Sequence, residues 1–443
     1  MSLQKYLRGR NAASVAEGLE AAIREGALRP AEQLPTVRAL ARELSLSPTT
    51  VAAAYRALQR RGVLVAEGRR GTRVSFAPPV PVAAAPPLPA RARDLASGNP
   101  DPSLLPDLAP ALGRVVARLG PPHLYDGAAN RPELLELARE RFAADGLPTG
   151  ALAVVSGALD GIERVLAARL RAGDRVAVED PGFGGVLHLV RALGLTLLPV
   201  AVDDEGPLPG ALAHALGRGA SAFVATPRAQ NPTGAALSAA RVRELRRVLR
   251  AHPDVLLVED DHAVEVAGAP ARTLVARETR HFAIVRSVSK GLGPDLRLGV
   301  VSGDPETAAR VEGRQMLGLR WVSHLLQRTV VELWRDRAIA AALRRAEETY
   351  AERRRALLDA LAAHGIEARG ATGLNVWVPV PAEAPVLQGL LSAGYAVAPG
   401  ERYRLQSPPA VRVTTAALPA AQAPAVAAAL AACLRPAARA SPV

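Results

Sequence analysis

One stretch constrains this chain more than any other: residues 75–93 read Ser-Phe-Ala-Pro-Pro-Val-Pro-Val-Ala-Ala-Ala-Pro-Pro-Leu-Pro-Ala-Arg-Ala-Arg. Proline fixes φ and carries no amide donor. At this density it forbids helix interiors and sheet ladders and favours extended polyproline backbone. Separate domains are therefore expected on either side of a semi-rigid linker at 77–93. The 443 residues of the chain are also too many for one core. The expected units are 1–76 and 94–443, the second dividing into a large part at about 120–305 and a small part at about 306–443 joined by some of 94–119.

Charge separates the same two regions. The chain carries +13 overall, and residues 1–76 hold 13 Lys and Arg against 6 Glu and no Asp. A basic end on a nearly balanced body points to a polyanion partner, with a solvated charged face as the plainer alternative. Only Lys5 and Lys290 are lysines, so chemistry that requires an amine has few candidates. Cys433 is the only cysteine, which rules out a disulfide framework or a cysteine metal cluster within one chain. No metal ion is expected. No charged segment followed by an apolar run opens the sequence, and Ala425 to Leu434 is too short and too Ala-rich to span a bilayer. The expected location is cytoplasmic, with no membrane partner.

Residues 1–74 read as three helices and a hairpin. Val15, Leu19, Ala22 and Ile23 share one helical face, Val37, Leu40, Ala41 and Leu44 a second, and Val51, Tyr55 and Leu58 a third. Ser47-Pro48 supplies an N-cap and a first-turn proline. Two short β-branched runs then bracket the turn from Glu67 to Gly71. A capped second helix after a tight turn is helix-turn-helix geometry, with its N-terminal residues at base edges. Ser47, Thr49 and Thr50 offer hydroxyls there, Arg38 a guanidinium, and Arg69, Arg70 and Arg73 a cationic wing tip. The expected partner is double-stranded DNA.

Beyond the linker, short β-branched runs alternate with helical segments. Candidate strands are Val154-Val155, Arg175–Glu179, Thr196–Val200, Ala222–Thr226, Val255–Glu259, Phe282–Ser287 and Leu298–Ser302, with Asn375–Val380 and Ala410–Val413 near the end. This alternation predicts a mostly parallel sheet covered by helices, then a smaller α+β part. Groups suited to one chemistry fall at strand ends, where open α/β sheets place ligands. Lys290, in Ser287-Val288-Ser289-Lys290-Gly291, follows a buried strand and can present its amine to an aldehyde. Ser287, Ser289 and Arg297 surround it with phosphate-binding groups. Ser156-Gly157-Ala158 opens a helix, where free amides and the positive helix end attract an anion. Asp260 could hold a pyridine nitrogen protonated, with Asp261 as competitor. Asn231 could donate to a ring hydroxyl, and Phe183 could stack on the ring or simply pack in the core. Lysine amine, electron-sink partner and phosphate cradle together are what pyridoxal 5′-phosphate (PLP) chemistry needs.

Leu34 to Ala41, Ser47 to Val51, Ala54 to Leu58, Gly62 and Gly68 to Val74 resemble the GntR-type winged helix over about 70 residues. Pro48 departs from it, standing where many relatives have arginine. The order Ser156-Gly157-Ala158, Asp180-Pro181-Gly182-Phe183, Asn231-Pro232-Thr233-Gly234, Asp260, Lys290, Arg297, Arg412 resembles PLP fold type I, the aspartate aminotransferase superfamily, through residues 95–435. Together the two parts resemble the MocR-type regulators. The implied fold is multi-domain: an N-terminal α+β winged helix, then an α/β aminotransferase-like domain with a small C-terminal α+β domain.

The resemblance implies that PLP forms an aldimine with Lys290 and that Arg412 binds the carboxylate of a substrate or effector. It also implies a homodimer, head-to-tail, with Tyr125 reaching the partner's phosphate. His262 stands where MocR relatives commonly have a tyrosine that contacts the ring hydroxyl. Arg228-Ala229-Gln230-Asn231 replaces the Ser-His-Gln-Phe of many members and keeps the asparagine of true aminotransferases. Two functions stay open: a PLP-dependent regulator that senses PLP or an amino compound (an amino acid or amine), and an active aminotransferase carrying an accessory winged helix.

Overall fold

The computed structural model describes residues 6–7, 11–24, 27–29, 32–60, 62–66, 71–75, 88–89 and 91–434. Arg69, Arg70 and most of the 77–93 stretch lie outside the described residues. The chain divides into a small N-terminal unit and a larger unit.

In the N-terminal unit, α1 (Ala12–Arg24), α2 (Val37–Glu43) and α3 (Pro48–Arg60) are followed by β1 (Leu64–Ala66) and β2 (Thr72–Val74). The helix faces expected from spacing are those that meet: Val15, Leu19, Leu40, Val51, Leu58 and Leu64 are buried in one core. Tyr55 joins it and donates its hydroxyl to the Pro35 carbonyl at 2.7 Å. Thr36 caps α2 through a bond from the Ala39 amide. β1 and β2 pair antiparallel, Leu64 opposite Val74, to form the wing.

The larger unit begins with β3 (Arg93–Leu95), α4 (Ala109–Ala117) and α5 (Pro132–Ala144). Next come β4 (Ala151–Val155), α6 (Ala158–Arg169), β5 (Arg175–Asp180), α7 (Gly184–Ala192), β6 (Thr196–Asp203), β7 (Gly206–Pro207) and α8 (Pro209–Gly217). β8 (Ala222–Ala225), α9 (Ala239–Arg250), β9 (Leu256–Asp261), β10 (Phe282–Ser287) and β11 (Gly299–Gly303) complete the main sheet. Its eight strands run in the order β4-β11-β10-β9-β8-β5-β6-β7. β5, β8, β9 and β10 are mutually parallel, while β11 runs antiparallel to β10 and β4. The central strands are buried along nearly their whole length, as a sheet covered on both faces requires.

Then follow α10 (Pro305–Met316), α11 (His324–Arg335), the 27-residue α12 (Arg337–Ala363), β12 (Asn375–Pro379), α13 (Glu383–Ser392), β13 (Tyr395–Pro399), β14 (Ala410–Thr414) and α14 (Ala423–Leu434). A second sheet has the order β12-β14-β13-β3. β3, starting at the last residue assigned to the linker, pairs in parallel with β13, Arg93 opposite Tyr395. β3, β7 and β13 are absent from the sequence reading. β3 and β7 are too short for period-2 alternation to register, and Tyr-Ala-Val-Ala-Pro in β13 is small-residue rich and ends in proline. Among the described residues, no helix is long and apolar enough to cross a membrane.

Candidate functional site

Parallel strands deliver their C-terminal ends to one edge, and the site is built there. Register sets the anion cradle: Ser287 of β10 lies opposite Gly299 of β11, which lies opposite Val155 of β4. Ser156 and Gly157, directly after β4, therefore stand beside Ser287. Gly157 takes φ +94° and precedes Ala158, the first residue of α6. An added Cβ at Gly157 would lie 3.2 Å from Arg297 Nη2, so glycine keeps this space open. Arg297 donates Nη2 to the Ser156 carbonyl at 2.9 Å, and the Ser287 and Ser289 hydroxyls lie 2.9 Å apart. Two hydroxyls and an arginine gather at this helix start, where the Ser156 amide donates to Asp160 Oδ2 at 2.8 Å. Phe183 is half-buried between β5 and α7. Its ring and Leu159 of α6 both crowd the space above Gly185, which puts Phe183 near the opening turn of α6.

Lys290 lies in the turn after β10 and donates Nζ to the Gly98 carbonyl at 2.7 Å. Burial, reinforced by the charge of Arg412, lowers its amine to about 8, against a smaller pull upward from Asp260. Arg412, in β14, is also buried, and desolvation lowers its pKa. It donates Nη1 to Asn231 Oδ1 at 3.0 Å and Nη2 to the Ala96 carbonyl, with its guanidinium carbon 4.8 Å from the centroid of the Tyr403 ring. The Ala96–Gly98 segment thus touches both cations. Gly98 adopts φ +72°, and a Cβ there would lie 3.0 Å from Arg412 Nη2. Neither this segment nor Tyr403 figured in the sequence reading, because long-range contacts leave no local pattern.

The two adjacent carboxylates of β9 part company. Asp261 is bound on both oxygens by Arg228 and Arg286. Asp260 is 2% exposed, and its Oδ1 has no hydrogen-bond partner. Burial, with the charges of Asp261 and Glu179, raises Asp260 to about 7, while Lys290 acts the other way. His262 Nδ1 is likewise unpartnered, 3.8 Å from Asp260 Oδ2, and burial followed by the Lys290 charge lowers His262 to about 4. A buried carboxylate oxygen with no partner is costly and calls for an explanation, of which a bound group is one. Together with the space kept open at Gly157, it leaves a donor set of the kind PLP calls for: an amine, an unpartnered buried carboxylate and an anion-binding helix start.

Tyr125 is elsewhere among the contacts. It is 75% exposed, with its ring 5.7 Å from that of Trp321 and the Arg320 guanidinium 5.0 Å above it. No contact among the described residues ties it to Lys290. In the N-terminal unit, Arg38, Ser47 and Thr49 are exposed and Thr50 is half-buried. Ser47 Oγ accepts from the Thr50 amide at 3.1 Å and lies 2.8 Å from Thr50 Oγ1. The Ser47 hydroxyl thus caps α3 with Thr50 bonded to it, and Arg38 and Thr49 present the freer groups. Arg73 lies in β2, opposite Val65.

A winged helix joined to an aminotransferase-like domain of PLP fold type I defines a class of transcription regulator. Residues 11–74 match the bacterial regulatory proteins of the gntR family, and residues 93–430 match the class I and II aminotransferases. The vitamin B6 salvage pathway transcriptional repressor PtsJ of Salmonella typhimurium is 40% identical over 415 residues, covering 93% of this chain and 95% of its own length. The regulator TauR of Rhodobacter capsulatus is 30% identical over 427 residues, covering 86% of this chain and 84% of its own. Among solved structures, the α-aminoadipate aminotransferase LysN of Thermus thermophilus superposes with a TM-score of 0.69 at 23% identity, over 78% of this chain and 92% of that one. The chain belongs to the MocR-type subfamily of GntR transcription regulators, in which a DNA-binding helix-turn-helix domain is fused to an aminotransferase-like domain.

Proposed function

We propose that this regulator holds PLP at Lys290 and changes its DNA affinity when an amino compound, or PLP itself, occupies the site. The observation that carries the reading is the unpartnered Asp260 Oδ1 in the same buried cluster as the depressed Lys290 amine. When bound, the cofactor supplies an aldehyde that condenses with amines and an electron-accepting ring. Lys290 would present its amine, and Asp260 would bond the ring nitrogen. Asn231 or His262 would face the ring hydroxyl, and Phe183 the ring. Ser156, Gly157, Ala158, Ser287, Ser289 and Arg297 would hold the phosphate. Arg412, buried and with Nε unpartnered, would take an effector carboxylate.

Regulation then needs only differential affinity: a ligand shifts the DNA-binding state by as much as it prefers one conformation. The likeness to a vitamin B6 salvage repressor favours a vitamin B6 pathway as the controlled process. Self-association completes the proposal. A groove of about 760 Å³ is lined by His123, Trp321 and the exposed Leu119, Leu124 and Leu325, and the exposed Tyr125 packs against Trp321. A second copy covering this face would bring its Tyr125 toward the cofactor phosphate.

The test is the 300–500 nm spectrum of the purified protein with PLP, before and after borohydride, with mass spectrometry of the modified peptide. A new band that borohydride fixes on Lys290 is expected. No band after added PLP would remove the cofactor from the account. A second reading, residual transamination, is favoured by Asn231 bound to Arg412. It predicts slow conversion of an amino acid and a 2-oxo acid that Lys290→Ala abolishes.

A further inference from the structure

Two buried arginines, far apart in sequence, converge on a single carboxylate. Arg228 follows β8 and Arg286 lies within β10. Arg228 donates Nε and Nη2 to the two oxygens of Asp261 at 2.8 and 2.9 Å, and Arg286 donates Nε to Asp261 Oδ2 at 2.9 Å. The arrangement is braced from outside. Arg228 Nη1 donates to the Ala269 carbonyl at 3.0 Å, and the Arg286 guanidinium carbon lies 4.6 Å from the Phe142 ring centroid. Arg286 Nη2 donates to Asp145, whose carboxylate also lies 3.7 Å from Arg228 Nη2. Two buried cations thus face one buried carboxylate, Asp261, and one at the surface, Asp145.

Buried ion pairs are poor devices for stability, because desolvation offsets most of the Coulomb gain. The position of this one suggests a different use. Successive side chains of a strand point to opposite faces. Fixing Asp261 on one face of β9 therefore fixes Asp260 on the other. Two adjacent buried carboxylates would otherwise contend for one proton. The charged and titratable groups that act on Asp260 are Asp261, Glu179, Lys290 and His262. Those around the arginines are Asp261, Asp145 and Glu265. Burial pushes Asp261 upward, but the bonds and charges of Arg228 and Arg286 outweigh it and leave it below the ordinary carboxylate value.

We propose that Arg228 and Arg286 are positioning residues for the cofactor ring: by taking both oxygens of Asp261 they leave Asp260 as the one carboxylate of the pair free to bond a protonated ring nitrogen. This rests on the reading that Lys290 and Asp260 receive PLP. The clamp separates the two roles by partner rather than by distance. It also makes Asp260 sensitive to charge at position 228, since uncompensated charge on Asp261 opposes ionisation of Asp260.

The experiment compares the equilibrium affinity of the full chain for PLP and for its 1-deaza analogue, in which CH replaces the ring nitrogen, between pH 6 and 9. The ratio of the two affinities reads the ring-nitrogen bond and cancels general damage to the site. Wild type should prefer PLP, and Asp260→Asn should erase the preference. Arg228→Gln should cut it by about fivefold near pH 7, the effect of raising Asp260 from about 7 by about one pH unit. Arg228→Lys should restore much of it. Asp145→Asn, at a half-exposed position, should keep or raise the preference by leaving the arginines more positive. That variant tests the clamp even if Arg228→Gln does not fold. Equal weakening of both ligands in Arg228→Gln, with the ratio intact, would overturn the clamp and leave the PLP site standing. A lower preference in Asp145→Asn would also count against it. Failure of wild type to take up PLP at all would instead defeat the reading on which the clamp rests.

Discussion

Lys290 donates its amine to the Gly98 carbonyl, in a cluster where burial has already weakened its hold on a proton. The sign of that shift has a kinetic consequence. A lysine lowered to about 8 is roughly half free amine at pH 8, whereas an ordinary lysine near 10.4 is almost wholly protonated. The reactive form is present above about pH 8 and is lost as pH falls below it. Stopped-flow absorbance should therefore show PLP uptake rising with pH and levelling off a little above 8, not continuing toward 10. Gly98 itself offers a second test. Alanine there meets Arg412 at 3.0 Å and must hold φ +72°, a strain of about 1–2 kcal/mol. Gly98→Ala should weaken effector-carboxylate binding by about tenfold while the borohydride-fixed band at Lys290 persists. Calorimetric titration of the PLP-loaded variant measures the first, and its spectrum checks the second.

At the scale of elements, the two helices that would meet DNA divide their residues between folding and contact. Ser47 caps α3 and shares a hydrogen bond with Thr50, whereas Arg38 stands exposed on α2. Ser47→Ala should cost about 1 kcal/mol in stability of the winged helix, the usual price of a lost N-cap, read by thermal unfolding. Arg38→Ala should leave unfolding unchanged and weaken DNA binding, read by fluorescence anisotropy. Unchanged DNA affinity in Arg38→Ala would remove that residue from the interface.

The same elements show what the sequence could and could not disclose. α3 was legible because Ser47-Pro48 marks its start and Val51, Tyr55 and Leu58 mark its buried face. β9 and β10 were legible as apolar runs ending in Asp260 and Ser287. β3 was hidden because three residues at the end of a proline-rich stretch carry no period, and its pairing with β13 spans some 300 positions. Asp260 and Asp261 could not be told apart by position alone. What separates them is Arg228 and Arg286, brought from β8 and β10 by the parallel pairing of those strands with β9. An arginine inside the buried run Phe282–Ser287 was the available signal, since a charge there needs a buried partner.

For the whole molecule, the exposed apolar face around Trp321 carries the prediction of self-association. Leu317 is 91% exposed and Leu319 63%, a few residues before Trp321, whose ring meets that of Tyr125. Contiguous exposure of this kind usually marks an interface. Leu317→Asp with Leu319→Asp should shift the protein from dimer to monomer in sedimentation velocity. If the partner's Tyr125 reaches the phosphate, the same variant should hold PLP less tightly. An unchanged sedimentation coefficient would place the interface elsewhere.

In the proposed function the state of Lys290 sets affinity for DNA. The most direct measurement is footprinting on a duplex selected from a random pool, with wild type and Lys290→Ala, each with and without PLP and an added amino compound. Ligand should change wild-type occupancy severalfold and leave Lys290→Ala bound but unresponsive. Equal responses in both proteins, or none in wild type loaded with PLP and amino compounds, would contradict it.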